Sequence, residues 1–290
     1  KNQFNVIGLA AIDNFNLNPD ANEGIDDPQK LAQNEYTLNN LPINEQWNYS
    51  LGGTWKRFFD NSNLLVVMSR SHLNNTAVKY EDYADLSSPK IIDYKSQEIE
   101  NKSRIEYNFR ENNIKFNIGL NLEDATYLNS TKRILTSGDS IYTKLVETDL
   151  YFVKYGAFAQ LSKTYLVDRL VTSIGFRMDG NSFTENTTTP NFSPRLSFSY
   201  KLSGKSSLNA NLGRFYQLPA YTILGYGINN NFSNVDAEYI LCDHAVVGLE
   251  YNPSNYSKIT LETFYKLYDN DPFSIIDSIS LANLGGDFGV

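Results

Sequence analysis

The sequence predicts an all-β protein, an antiparallel transmembrane β-barrel, on three observations. The first is alternation. In 46–58, Trp47, Tyr49, Leu51, Gly53 and Trp55 share one parity against Asn48, Ser50, Thr54 and Lys56. In 114–123, Ile114, Phe116, Ile118, Leu120 and Leu122 oppose Lys115, Asn117, Asn121 and Glu123. Period 2 is the strand period, and a strand with lipid on one face and a watery lumen on the other must be written this way. The second is rhythm, since short and long connections alternate along the chain. The third is composition: 20 Tyr and 17 Phe sit in a chain of mean hydropathy −0.40. The longest uncharged apolar run, Val6–Ile12, is far below the roughly 20 residues that a spanning helix needs.

Candidate strands fall, in order, at 4–12, 46–58, 64–73, 97–110, 114–125, 148–162, 169–179, 194–202, 207–215, 243–252 and 258–267. Beyond the first examples, Ile105, Tyr107 and Phe109 oppose Arg104, Glu106 and Asn108. Tyr151, Val153, Tyr155, Ala157, Ala159 and Leu161 oppose Lys154 and Gln160. Leu170, Thr172, Ile174, Phe176 and Met178 oppose Ser173, Arg177 and Asp179, while Leu196, Phe198, Tyr200 and Leu202 oppose Arg195, Ser197, Ser199 and Lys201. Ala245, Val247, Leu249 and Tyr251 oppose His244 and Glu250. Turn chemistry marks the short connections at Phe59–Asn63, Glu111–Asn113, Ser203–Ser206 and Asn252–Tyr256, with Lys163–Asp168 less clearly marked. Long segments lie at 13–45, 74–96, 126–147, 180–193 and 216–242, which is the extracellular-loop side of an outer-membrane barrel. Asp20–Asp27, Ser137–Asp139 and Asn229–Asn231 are therefore expected at the cell surface. Leu284–Val290 reads as a further strand being entered. Eleven strands is an odd number for a bacterial single-chain barrel, so residues 1–290 read as one partial barrel domain of a larger barrel.

The net charge of −8 argues against a nucleic-acid partner. One cysteine, Cys242, and two histidines, His72 and His244, leave no disulfide framework and no zinc or haem centre, and no cofactor is expected. Gly204-Lys205-Ser206 lacks the leading glycine of a phosphate loop, because Ser199 stands there. No hydrolase or metalloprotease motif occurs, and no catalytic residue is expected. The acidic stretch Asp20–Asp27 offers oxygen ligands but matches no EF-hand spacing, so a solvated acidic loop is favoured over a calcium site. The charges on the polar faces (Arg104, Glu106, Arg177, Asp179, Arg195 and Glu250) are expected to line the lumen. There they set the selectivity of an open pore or hydrogen-bond a plug.

At Asn191–Tyr221 the chain strongly resembles the mid-barrel signature of TonB-dependent outer-membrane receptors. Ser193-Pro194-Arg195 opens one strand, a short turn follows, and Gly213-Arg214-Phe215-Tyr216-Gln217-Leu218-Pro219 ends the next. That last segment is similar to the form found in Bacteroidetes-type receptors, and Tyr94–Lys102 and Phe264–Pro272 fit the same group. The resemblance implies a non-enzymatic receptor with a roughly 22-stranded barrel around a plug, the plug and the C-terminal strands lying outside this sequence. It implies active uptake of an iron or cobalamin chelate, a glycan or a peptide, powered by a TonB energy-coupling complex acting on the plug. Outer-membrane lipid and lipopolysaccharide would be its surroundings. A passive porin-like or adhesin-like barrel is the alternative. Tyr216, Gln217, Tyr221 and Tyr226, just beyond a strand end, are the expected ligand contacts, where rigid support meets loop variability.

Overall fold

A computed structural model describes residues 1–137, 140–184, 191–228 and 231–273. The expected surface positions Ser137–Asp139 and Asn229–Asn231 fall partly outside the described residues, and the strand expected at Leu284–Val290 falls wholly outside them. All eleven segments read as strands form one antiparallel sheet. They are β1 (Asn2–Phe15), β2 (Ile43–Phe58), β3 (Ser62–Tyr80), β4 (Lys90–Glu111), β5 (Ile114–Ser137), β6 (Ser140–Tyr165), β7 (Leu170–Asn181), β8 (Asn191–Lys201) and β9 (Ser206–Gln217). After a short β10 (Gly227–Ile228) and β11 (Asn231–Phe232), which pair only with each other, come β12 (Ile240–Ser254) and β13 (Ser257–Asp269). In the large sheet each strand pairs with the next one in the chain, so the topology is an up-and-down meander.

Ladder registers join the polar parities of neighbouring strands into one face. Arg104 pairs with Asn121, Asn121 with Gly156 and Gly156 with Asp179. One row away, Ile105, Leu120, Ala157, Met178 and Phe192 form an apolar row on the other face. The sheet curves toward its polar side. Lys56 on β2 and Arg195 on β8 line the same cavity of about 1250 Å³, together with Arg104, Asn117, Gln160 and Arg177. The convex face carries bare apolar side chains, among them Leu51, Leu120 and Ile174, 56%, 61% and 61% exposed. In a bilayer that face is covered by lipid.

Two of the long segments are mostly strand. β3 and β4 continue through most of 74–96, and β5 and β6 through all the described part of 126–147, so that β6 is 26 residues long. Crossing a bilayer takes roughly 9–11 residues of tilted strand, so β4–β6 rise well beyond it. The polarity of the two faces inverts where they do. Above Glu123 the inward residues Ala125, Tyr127, Leu150 and Phe152 are buried, and the outward ones include Asp124, Thr126, Glu147 and Asp149. The inner face there packs against protein, while the outer face meets water.

The first long segment also holds a helix that the strand pattern did not anticipate, α1 (Pro28–Asn40). Asp27 caps it by accepting the Gln29 amide at 3.0 Å, and Pro28 occupies the first turn. One acid of the Asp20–Asp27 stretch is thus engaged in capping.

The charged inner wall as candidate functional site

Strand geometry places residues i and i+2 on one face, and the inner wall uses that spacing for ion pairs. Arg104 donates to Glu106 from Nε at 3.0 Å and Nη2 at 2.5 Å. Arg177 holds Asp179 with two bonds of 2.6 and 2.5 Å. Asn117 donates to both Glu106 and Asn108 at 2.5 Å, tying β5 to β4. Arg195 lies over the Phe215 ring at 4.5 Å, and Arg104 over Phe158 at 4.6 Å. Phe158 fits because its cross-strand neighbour is Gly119, where a Cβ would meet the ring at 2.5 Å. Such aromatic cover of a cross-strand glycine fixes register and shields backbone. Glu250 shares this inner parity at the other end of the sheet and accepts from Lys258 at 2.6 Å. Arg104, Glu106, Arg177, Asp179 and Arg195 therefore sit on one curved wall, and Arg177 and Asp179 also border a second cavity of about 440 Å³ above it.

A denser group stands in that second cavity. Glu100 on β4 accepts from Lys102 at 2.6 Å and from Lys154 on β6 at 3.3 Å. Glu123 on β5 pairs with the same Lys154, and with Lys102 at 3.7 Å. Two carboxylates and two ammonium groups thus neutralise one another across three strands. Tyr221, 8% exposed, is set into them: its hydroxyl donates to Glu100 and accepts from Lys154 at 2.5 Å. It belongs to α2 (Tyr221–Leu224), part of the connection between β9 and β12. Tyr221 and Leu224 pack with Ala125, Tyr127, Leu150 and Phe152 in a small apolar cluster.

Of the four residues expected as ligand contacts, Tyr216, Gln217 and Tyr221 border the upper cavity together, and Tyr226 lies apart from it. Gln217 falls on the inner parity of β9 and lines the upper cavity, whereas Tyr216 shares the outward parity of Leu212 and Arg214 at the cavity rim. Tyr221 is buried in the wall, and Tyr226 is 38% exposed beneath the Lys144 ammonium. Glu100, Lys102, Glu123 and Lys154 were not among the expected site residues. Their signal was in the sequence all the same. Phe152 breaks the polar parity of β6, and it is where the Tyr221 segment covers the wall. Among the described residues no three His, Cys, Asp or Glu side chains converge on a point where a metal ion could sit. The arrangement is a polar wall on which Arg104, Lys102, Lys154 and Arg177 are paired with carboxylates and Arg195 lies on an aromatic ring.

Comparison with known proteins agrees with this geometry. No curated protein sequence matches the chain. The fold resembles the ferric enterobactin receptor PfeA of Pseudomonas aeruginosa (a G324V mutant), with 16% identity and a TM-score of 0.59 over 78% of this chain and 35% of that one. It resembles the copper transporter OprC, with 14% identity and a TM-score of 0.61 over 80% and 40%. The ferric yersiniabactin uptake receptor FyuA of Yersinia pestis gives 11% and 0.56 over 78% and 36%. The chain therefore spans 35–40% of the length of these structures. Residues 2–286 match the family described as TonB dependent receptor-like, beta-barrel, and the chain belongs to that family of bacterial outer-membrane barrels.

Proposed function

We propose that these residues form the wall of an outer-membrane receptor that actively imports a scarce nutrient, with TonB-coupled energy reaching it through a plug encoded elsewhere in the whole protein. The family match over residues 2–286 carries this reading. The inner wall supports it, because paired charges on a hydrated surface can exchange hydrogen bonds with a solute without leaving an ion bare. The structural relatives named for ferric enterobactin, ferric yersiniabactin and copper favour a metal or metal-chelate cargo. The Gly213–Pro219 segment favours a Bacteroidetes-type receptor, for which a glycan or peptide is the other cargo class.

A passive barrel is the alternative, and energy dependence separates the two. In cells carrying the full-length receptor, collapse of the inner-membrane proton gradient should abolish uptake and leave surface binding intact. Binding and import are measured separately, with and without a protonophore. Import that continues unchanged after the gradient collapses favours the passive barrel.

A further inference from the structure

We infer that the segment Leu218–Gly227 is a lid folded over the upper cavity of the inner wall, latched by Tyr221 on the Glu100–Lys154 pair and hinged at the seam between β8 and β9. The receptor reading gives the lid its purpose, but the inference itself concerns only whether the segment opens.

Three observations converge on it. The first is where the segment goes. It leaves the end of β9, yet its contacts are on β4, β5 and β6, with β7 and β8 lying between in the sheet. It must therefore span the inside of the curve. Thr148 on β6 donates to the Gly225 carbonyl at 2.8 Å, and Asn234 donates to the Ile223 carbonyl at 2.7 Å.

The second is the latch. Tyr221 touches Phe152 edge-on, with centroids 5.5 Å apart, and its ring lies under the Lys154 ammonium at 5.0 Å. Its hydroxyl satisfies a carboxylate that has other partners. If Tyr221 leaves, Glu100 keeps Lys102 and Lys154, and Glu123 keeps Lys154. No charge is abandoned in the open state, so opening avoids the main cost of breaking a buried ionic contact.

The third is the hinge. β8 and β9 are paired from Lys201–Ser207 only as far as Arg195–Gly213. Pro194, which has no N–H to give, stands where the ladder stops. Among the described residues, β9 above it pairs with β12 alone, from Arg214–Asp243 to Gln217–Ile240. The lid is thus rooted on a strand end secured on one side only.

The test uses the full-length receptor in lipid vesicles, without any energising complex, so that its outcome is independent of whether uptake is active. Leu150, 1% exposed under the lid, is replaced by the smaller cysteine (Leu150→Cys) in a Cys242→Ser background, and its labelling by a hydrophilic maleimide is timed. Tyr221→Phe keeps the ring but removes the hydroxyl's contacts with Glu100, Lys154 and Glu123. It should speed labelling by about tenfold or more, the consequence of losing charge-assisted hydrogen bonds. Gly225→Ala leaves the charged group alone but brings a Cβ to 2.8 Å from Thr148 Cγ2 and 3.0 Å from Tyr127 Cδ1, and should speed labelling as well. Equal rates in the parent and both variants, with folding checked by gel mobility of unheated samples, overturn the lid. Hydrogen exchange on the unsubstituted receptor decides the matter even where a variant misfolds. Lid amides at Leu224 and Gly225 should exchange at least about tenfold faster than wall amides at Leu150 and Phe152, as separately opening units do. Equal protection makes the segment part of the wall and refutes the proposal.

Discussion

Parity decides what a new charge costs on this wall. Leu120 points to the convex side, where its neighbours Ile105 and Ala157 are apolar, while Asn117 points inward against Glu106 and Asn108. Leu120→Arg should destabilise the barrel by about 2–4 kcal/mol if the site lies near the bilayer midplane. Asn117→Arg places a cation beside Glu106 and should cost far less. Denaturant titration in lipid vesicles measures both, and equal effects would refute the face assignment. A second residue-scale case is backbone strain. Leu166, Val167 and Asp168 make the β6–β7 turn with φ of 56°, 51° and 63°, a region that costs a bulky L-residue about 1–2 kcal/mol. Val167 is 98% exposed and packs against nothing that its loss would disturb. Val167→Asn, a residue that tolerates this conformation, should raise stability by up to about 1 kcal/mol. An unfolding midpoint that falls instead would show that the strain is compensated.

Elements were legible in the sequence where lipid wrote them. Alternation located all eleven strands because a bilayer leaves no freedom about which parity is apolar. Above the bilayer that constraint lapses, and the strand ends were missed. Around Glu123 and Asp124 the apolar parity changes sides, so a pattern that treats one parity as lipid-facing stops there while β5 and β6 run on. The Lys163–Asp168 turn was faint for a related reason: Leu166 and Val167 stand where glycine or asparagine would announce it. The β4–β5 turn was plain, because Asn112 takes a φ of 48° that asparagine accepts readily. The upper charged group was hidden because Glu100, Glu123, Lys154 and Tyr221 meet only through ladder register and a long connection. The alternation of connections also sets an expectation of sidedness. Tags in the turns at Asp60–Asn63, Glu111–Asn113 and Gly204–Ser206 should stay hidden on intact cells. The stretch Asp20–Asp27, beside α1, should be open to protease or label. Surface access at the turns instead would invert the topology.

At the scale of the whole molecule, the two outer strands carry the strongest constraint. Among the described residues, β1 and β13 are each bonded on one side only, to β2 and β12, and every residue of both is exposed. Their free edges present rows of unpaired N–H and C=O groups over 14 and 13 residues. In hydrocarbon each unpaired group costs several kcal/mol, which no lipid-facing side chain can offset, so only a closed barrel spans a bilayer. β1 and β13 must therefore find partners, and the 35–40% coverage of the structural relatives is consistent with further strands supplying them. A protein made of these 290 residues alone should fail to insert as a monomer. It should aggregate or associate edge to edge, the usual fate of long exposed edge strands. The full-length receptor should instead give the compact, SDS-resistant band of a closed barrel when left unheated. Refolding both into the same vesicles and comparing heated with unheated mobility tests this. A monomeric, SDS-resistant band from the 290-residue protein would mean that β1 and β13 can close on each other, making an eleven-stranded barrel in its own right.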